Sequence, residues 1–194
     1  MKIGGHPMKT ALLLVDIQND YFPNGHMELE GAVTASEKAR KLLAYFREKQ
    51  LPIIHIQHVS IRKGANFFLP NTEGVLIHHN VQPLPSEVVI QKHYPNSFRN
   101  TSLKSVLEEM NIKRLIICGM MTHMCIDATV RAACDFEYEC IVIHDACAAR
   151  SLQFDGKNIP AEQVHNTILA SLNGTYAQVI SLEELFKTNP VELQ

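Results

Sequence analysis

The sequence predicts an α/β fold: a parallel sheet covered by helices on both sides. Three observations carry that prediction. Short apolar runs rich in β-branched residues recur along the chain, each the length of a strand. Between them lie stretches with apolar residues at i, i+3, i+4 and i+7, the face of an amphipathic helix. The runs do not alternate apolar with polar, so both faces of each strand are buried, as in a sheet packed by helices on each side.

The strands are expected at residues 11–15, 52–59, 87–91, 114–118, 139–144 and 177–181. Ala39, Leu42, Leu43 and Phe46 mark the first helical stripe, and Leu103, Val106, Leu107 and Met110 the second. A third runs through Ile126, Val130 and Ala133. Val164, Ile168 and Leu172 make a fourth, entered by Pro160 and closed by Asn173-Gly174. Two connections, 18–34 and 60–86, are long for a compact α/β unit, and loops of that length tend to serve function or assembly. The second carries Phe67-Phe68-Leu69, which reads either as a pocket wall or as surface covered by a neighbouring subunit.

With 194 residues and 46% hydrophobic content, the chain supports one sizeable core, expected as a single domain over 8–188 with residues 1–7 a short N-terminal lead. A net charge of −2 gives no basis for a nucleic-acid or membrane-surface partner. No apolar run approaches membrane-spanning length, and the first residues lack the pattern of a secretory signal. The five cysteines are odd in number and form no C-x-x-C pair, which argues against a disulfide scaffold and a thiolate zinc site. Cys118, Cys134, Cys140 and Cys147 lie in apolar patterns and read as small core residues. A cytoplasmic protein is expected.

Cys125 is different. It follows the strand that ends near Cys118, after Gly119 and a short turn, in the first turn of a helical pattern. Unpaired N–H groups and the positive helix end there are expected to favour thiolate over thiol. Open parallel sheets bind ligands beyond the carboxyl ends of their strands. Asp16 and Lys92 stand at two other such ends. An acid, an amine and a thiol on one rim supply a nucleophile, its base and an electrostatic partner.

Three segments containing these residues resemble the signatures of the isochorismatase-like cysteine hydrolases: Val15-Asp16-Ile17-Gln18-Asn19-Asp20-Tyr21-Phe22, Lys92-His93, and Gly119-Met120-Met121-Thr122-His123-Met124-Cys125. The resemblance extends from about Thr10 to Leu185. It implies a Rossmann-like three-layer α/β/α fold with a six-stranded sheet in the order 3-2-1-4-5-6. It implies an Asp16–Lys92–Cys125 triad, a cis peptide before Met121, and an oxyanion hole from the Met121 and Cys125 N–H groups. It also implies hydrolysis of a C–N bond in a small amide, carbamoyl or ureido compound through a thioester, without a cofactor, in a homodimer or homotetramer. Asp16 would take the thiol proton and later activate water. Two other readings stay open: a non-catalytic or redox-active thiol protein of this fold, and vinyl ether hydrolysis that bypasses the thiol.

The nicotinamidase members of that family carry an Asp-x-His metal signature after the second strand, where this chain reads Ile54-His55-Ile56-Gln57-His58. Strand alternation sends His55 and His58 to opposite faces, so they cannot share a metal, and both read as strand histidines with ordinary hydrogen bonds. No metal site is expected. Tyr21, Phe22, Thr122 and His123 are the candidate substrate-binding residues.

Overall fold

The computed structural model describes residues 8–188; the N-terminal lead expected at 1–7 lies outside the described residues. In chain order the elements are β1 (Thr10–Val15), α1 (Ala32–Glu48), β2 (Ile53–His58), β3 (Val88–Lys92), α2 (Leu103–Glu109), β4 (Arg114–Met120), α3 (Asp127–Asp135), β5 (Glu139–Ala148), β6 (Leu152–Phe154), β7 (Lys157–Ile159), α4 (Ala161–Leu172), β8 (Gln178–Ile180) and α5 (Leu182–Lys187). The main sheet has six parallel strands in the order β3-β2-β1-β4-β5-β8. That is the expected order, with β8 as the sixth strand because a hairpin, β6–β7, lies between it and β5. Among the described residues no helix is long and apolar enough to cross a membrane.

β1 is the centre of the sheet. All six of its residues are buried, so its apolar run packs helices on both faces. α1 runs without internal proline or glycine and buries Ala35, Ala39, Leu42, Leu43 and Phe46 at helical spacing. Each large side chain removed from water this way contributes about 1.5–3 kcal/mol. The helix ends where Gln50 adopts a φ of 54° and Pro52 follows, a left-handed step that helices commonly end on.

The structure extends two strands beyond their expected ends. β4 reaches Met120 and β5 reaches Ala148, because their ladder resumes after an irregularity between Ile117 and Gly119 and pairs Gly119 with Cys147 and Met120 with Ala148. Gly119 has a φ of 133°, and a Cβ there would meet the Val15 carbonyl oxygen at 2.0 Å. Only glycine lets β1 and β4 approach so closely at the rim.

Candidate active site

Three strands of the sheet, β3, β1 and β4, deliver the three reactive side chains at one rim. Asp16 directly follows β1 in a left-handed conformation, φ 51°, which aspartate tolerates better than most residues. Lys92 is the last residue of β3. β4 ends at Met120, the Met120–Met121 peptide is cis, and one π-helical turn, Thr122–Ile126, carries Cys125 into α3. The rim therefore brings together groups separated by 76 and 33 residues of chain, from the numbering alone. Lys92 Nζ lies 2.7 Å from Asp16 Oδ2, with both side chains fully shielded from solvent. The ammonium also donates to the carbonyls of Tyr94 (3.1 Å) and Pro95 (2.9 Å). Cys125 is 3% exposed, and its sulfur lies within 4.8 Å of an Asp16 carboxylate oxygen. Asp16 Oδ1 is buried without a hydrogen-bond partner among the described residues, so it is an acceptor a thiol or a substrate N–H can use.

The electrostatics correct one expectation. Burial pushes the Cys125 thiol well above the usual thiol range, and the Asp16 carboxylate pushes it further; Lys92 opposes both but does not win. The resting sulfur is a thiol, not the thiolate that the helix start suggested, because burial and the neighbouring carboxylate both disfavour the anion. Burial alone would raise the Asp16 carboxyl, yet Lys92, with help from His58 and Cys125, holds it below its ordinary value. Burial alone would lower Lys92, and Asp16 raises it. The pair is a carboxylate and an ammonium, each keeping the other charged.

The candidate substrate-binding residues divide. Tyr21 is buried against Phe68, ring centroids 4.7 Å apart, and Phe22 stacks on His78 at 3.6 Å. Thr122 is buried and shares a 2.8 Å hydrogen bond with His165 Nδ1. His123 is half-buried, and both its ring nitrogens lack a partner among the described residues. Burial and the Arg150 charge lower its basicity. Neither Tyr21 nor Thr122 is exposed. Phe68, from the second long loop, is fully buried and packs on Tyr21 and on His58 (5.8 Å between centroids). Within the triplet Phe68 is packed inside the chain, whereas Leu69 stays exposed.

The histidines of β2 go separate ways. His55 Nε2 bonds Glu87 Oε2 at 2.8 Å, an acid that Arg47 also grips. His58 reaches the rim, with Nδ1 3.8 Å from Asp16 Oδ2. The sequence placed His58 among strand histidines with ordinary hydrogen bonds and not beside Asp16. Asp16, His58 and Cys125 offer ligand atoms within 4.8 Å of one another, the spacing of a metal cluster. The Lys92 ammonium stands 2.7 Å from the same carboxylate, and a dication there would face a buried positive charge. These residues do not fit a metal.

Cavities of 260 to 790 Å³ open elsewhere on the described surface, and none of these five is lined by Asp16, Lys92 or Cys125. At the rim the Asp16 and Lys92 side chains are shielded from solvent and Cys125 is 3% exposed, whereas the His58 side chain is 15% exposed.

A three-layer α/β domain with this rim belongs to a hydrolase fold, and the family follows from direct comparison. The chain belongs to the isochorismatase family, whose domain profile matches residues 10–184. An uncharacterized isochorismatase family protein of Bacillus subtilis (strain 168), YddQ, is 53% identical over 180 residues, 93% of this chain and all of that one. A crystal structure from Oleispira antarctica, assigned as an isochorismatase hydrolase, superposes with a TM-score of 0.90 at 47% identity, covering 94% of this chain and 98% of the other. A streptothricin hydrolase of Streptomyces noursei is 28% identical over 87% of this chain and 58% of its own length.

Proposed function

We propose that this isochorismatase-family hydrolase cleaves a C–N bond of a small amide, carbamoyl or ureido compound through a thioester on Cys125. The observation that carries the reading is the fully buried Asp16–Lys92 ion pair set against the Cys125 sulfur. A charged pair in so dry a place is expensive to bury, and a site that loads and discharges a sulfur nucleophile gives it a use.

The resting thiol sets the order of events. As Cys125 Sγ attacks the substrate carbonyl, its proton passes to Asp16, and Lys92 offsets the charge left on sulfur. The N–H groups of Met121 and Cys125 receive the developing oxyanion. Collapse breaks the C–N bond as Asp16 returns the proton to the departing nitrogen. Water then attacks the thioester carbonyl, the C–S bond breaks, and the acid leaves as sulfur regains a proton. Similarity to a streptothricin hydrolase supports a hydrolase role.

A hydrolysis screen over amides, carbamoyl compounds and ureas, reading ammonia or amine release, tests the proposal. Turnover by the native chain with none from Cys125→Ala is the expected result. Turnover that survives Cys125→Ala would assign the chemistry to other groups.

A further inference from the structure

We propose that His58 is the base of the second half-reaction, taking the proton of the water that attacks the thioester on Cys125. This inference rests on the thioester reading above. The sequence assigned that step to Asp16; four observations favour the imidazole.

The first is position. His58 is the last residue of β2 and the register partner of Lys92 on β3, so the two side chains leave the same face of the sheet at the same level. Its Nδ1 lies 3.8 Å from Asp16 Oδ2, and one of its ring nitrogens lies within 4.8 Å of Cys125 Sγ. Groups this close reach a common substrate or water atom, and bonds of this kind tighten when substrate is present.

The second is access. Asp16 and Lys92 side chains are fully shielded and Cys125 is 3% exposed, whereas the His58 side chain is 15% exposed. Water entering from solvent meets the imidazole before the carboxylate.

The third is chemical. Asp16 is held ionised by Lys92, which makes it a weak base for water. An imidazole is the side chain most often used as a general base in catalysis.

The fourth is anchoring. The buried Gln18 amide clamps the His58 peptide, accepting from its N–H at 2.8 Å and donating to its carbonyl at 2.8 Å. A third bond, from Gln18 Nε2 to the Val75 carbonyl at 2.7 Å, ties that amide to the second long loop. Phe68 supports the ring from the same loop. The clamp supplies the ladder bonds that β1, turning away at Asp16, no longer offers the His58 peptide, and so fixes the backbone from which the imidazole projects.

The proton balance closes. The C–O bond forms as the water proton moves to His58; the C–S bond breaks; the imidazolium returns that proton to the Cys125 sulfur. Asp16 and Lys92 end as they began.

p-Nitrophenyl acetate separates the two halves, because the nitrophenolate burst reports acylation and the steady state reports loss of acetyl. His58→Gln keeps the backbone that Gln18 grips, so it should fold, and circular dichroism checks that. The expected result is a burst within a few-fold of native, a steady-state rate about 10²-fold lower, and acetyl accumulating on Cys125 by mass spectrometry. Free imidazole should restore deacylation to His58→Ala, which a purely structural role would not allow. If burst and steady state fall together, or if deacylation is unchanged, the inference is wrong while the thioester reading stands. If the native chain shows no Cys125-dependent burst, the thioester reading fails and this inference with it.

Discussion

Asp16 has two duties that conflict: it stays ionised beside Lys92 and still receives a proton from Cys125. The thiol is held above its ordinary range by burial first and by that carboxylate second. Raising the pH therefore continues to increase the reactivity of Cys125 beyond the range where common thiols have ionised. Iodoacetamide modification of Cys125, followed by peptide mass spectrometry from pH 7 upward, should climb without the usual plateau near pH 9. Asp16→Asn removes the acceptor, and turnover should fall about 10²–10⁴-fold with Cys125 intact. At Gly119 a methyl would lie 2.0 Å from the Val15 carbonyl oxygen; Gly119→Ala should destabilise the fold by more than the about 1 kcal/mol that separates glycine from alanine in ordinary positions, read as a lower denaturant midpoint. At this scale the sequence showed Asp16, Lys92 and Cys125, because strand ends followed by reactive residues stand out in it. It hid His58. Alternation along β2 says only that His55 and His58 face opposite ways; which face meets Asp16 depends on the pairing of Val15 with Ile56 and on the left-handed turn at Asp16.

At the scale of elements, the central runs of Leu, Ile and Val were legible as strands because burial on both faces leaves little room for polar side chains. The expectation of two buried faces fails at the edges, where β3 alternates buried Ile90 and Lys92 with exposed Val89 and Gln91 and β8 is only partly buried. What escaped was shorter. β6 and β7 hold three residues each and are joined by Asp155 (φ 49°) and Gly156 (φ 70°), the two positive angles of a tight hairpin turn. The Asp-Gly pair signalled that turn, but flanks of one or two apolar residues carry too little periodicity to confirm strands. α5 was missed too, although Ser181 and Glu184 form a capping box at its start. The loop over the site holds by polar contacts that composition does not show. Asp20 is nearly fully buried and accepts the Phe68 N–H through Oδ2 and His26 Nδ1 through Oδ1, both bonds helping to hold it ionised against the burial that would raise it. Asp20→Ala leaves the buried Phe68 N–H unsatisfied, at a cost of about 1–3 kcal/mol. Limited proteolysis should then cut within residues 60–75 well before the rest of the chain unfolds, whereas the native chain resists there.

For the molecule as a whole, the Asp16–Lys92 pair sets the pH limits of stability and places function in opposition to it. Asp16 has a folded pKa below its unfolded one, so its contribution is present above pH 3.8 and is lost as pH falls through the folded value. Lys92 has a folded pKa above its unfolded one, so its contribution is complete below pH 10.5 and is lost as pH rises through the folded value. Between those limits both charges strengthen the fold, but only against the loss of one partner. Lys92→Met leaves a buried carboxylate uncompensated and should cost about 3–5 kcal/mol, and Asp16→Leu should cost a similar amount by stranding the ammonium. The double variant Asp16→Leu/Lys92→Met strands neither. Its denaturant midpoint should return to the native value or exceed it, since an apolar pair of similar volume escapes the desolvation that the ions bear. That variant would hydrolyse nothing, and its acid and alkaline limits would widen. Chemical denaturation of the four proteins across pH checks the whole set. If the double variant were as weak as the sum of the single ones, the pair would be a structural element in its own right and not a charge kept in the core for chemistry.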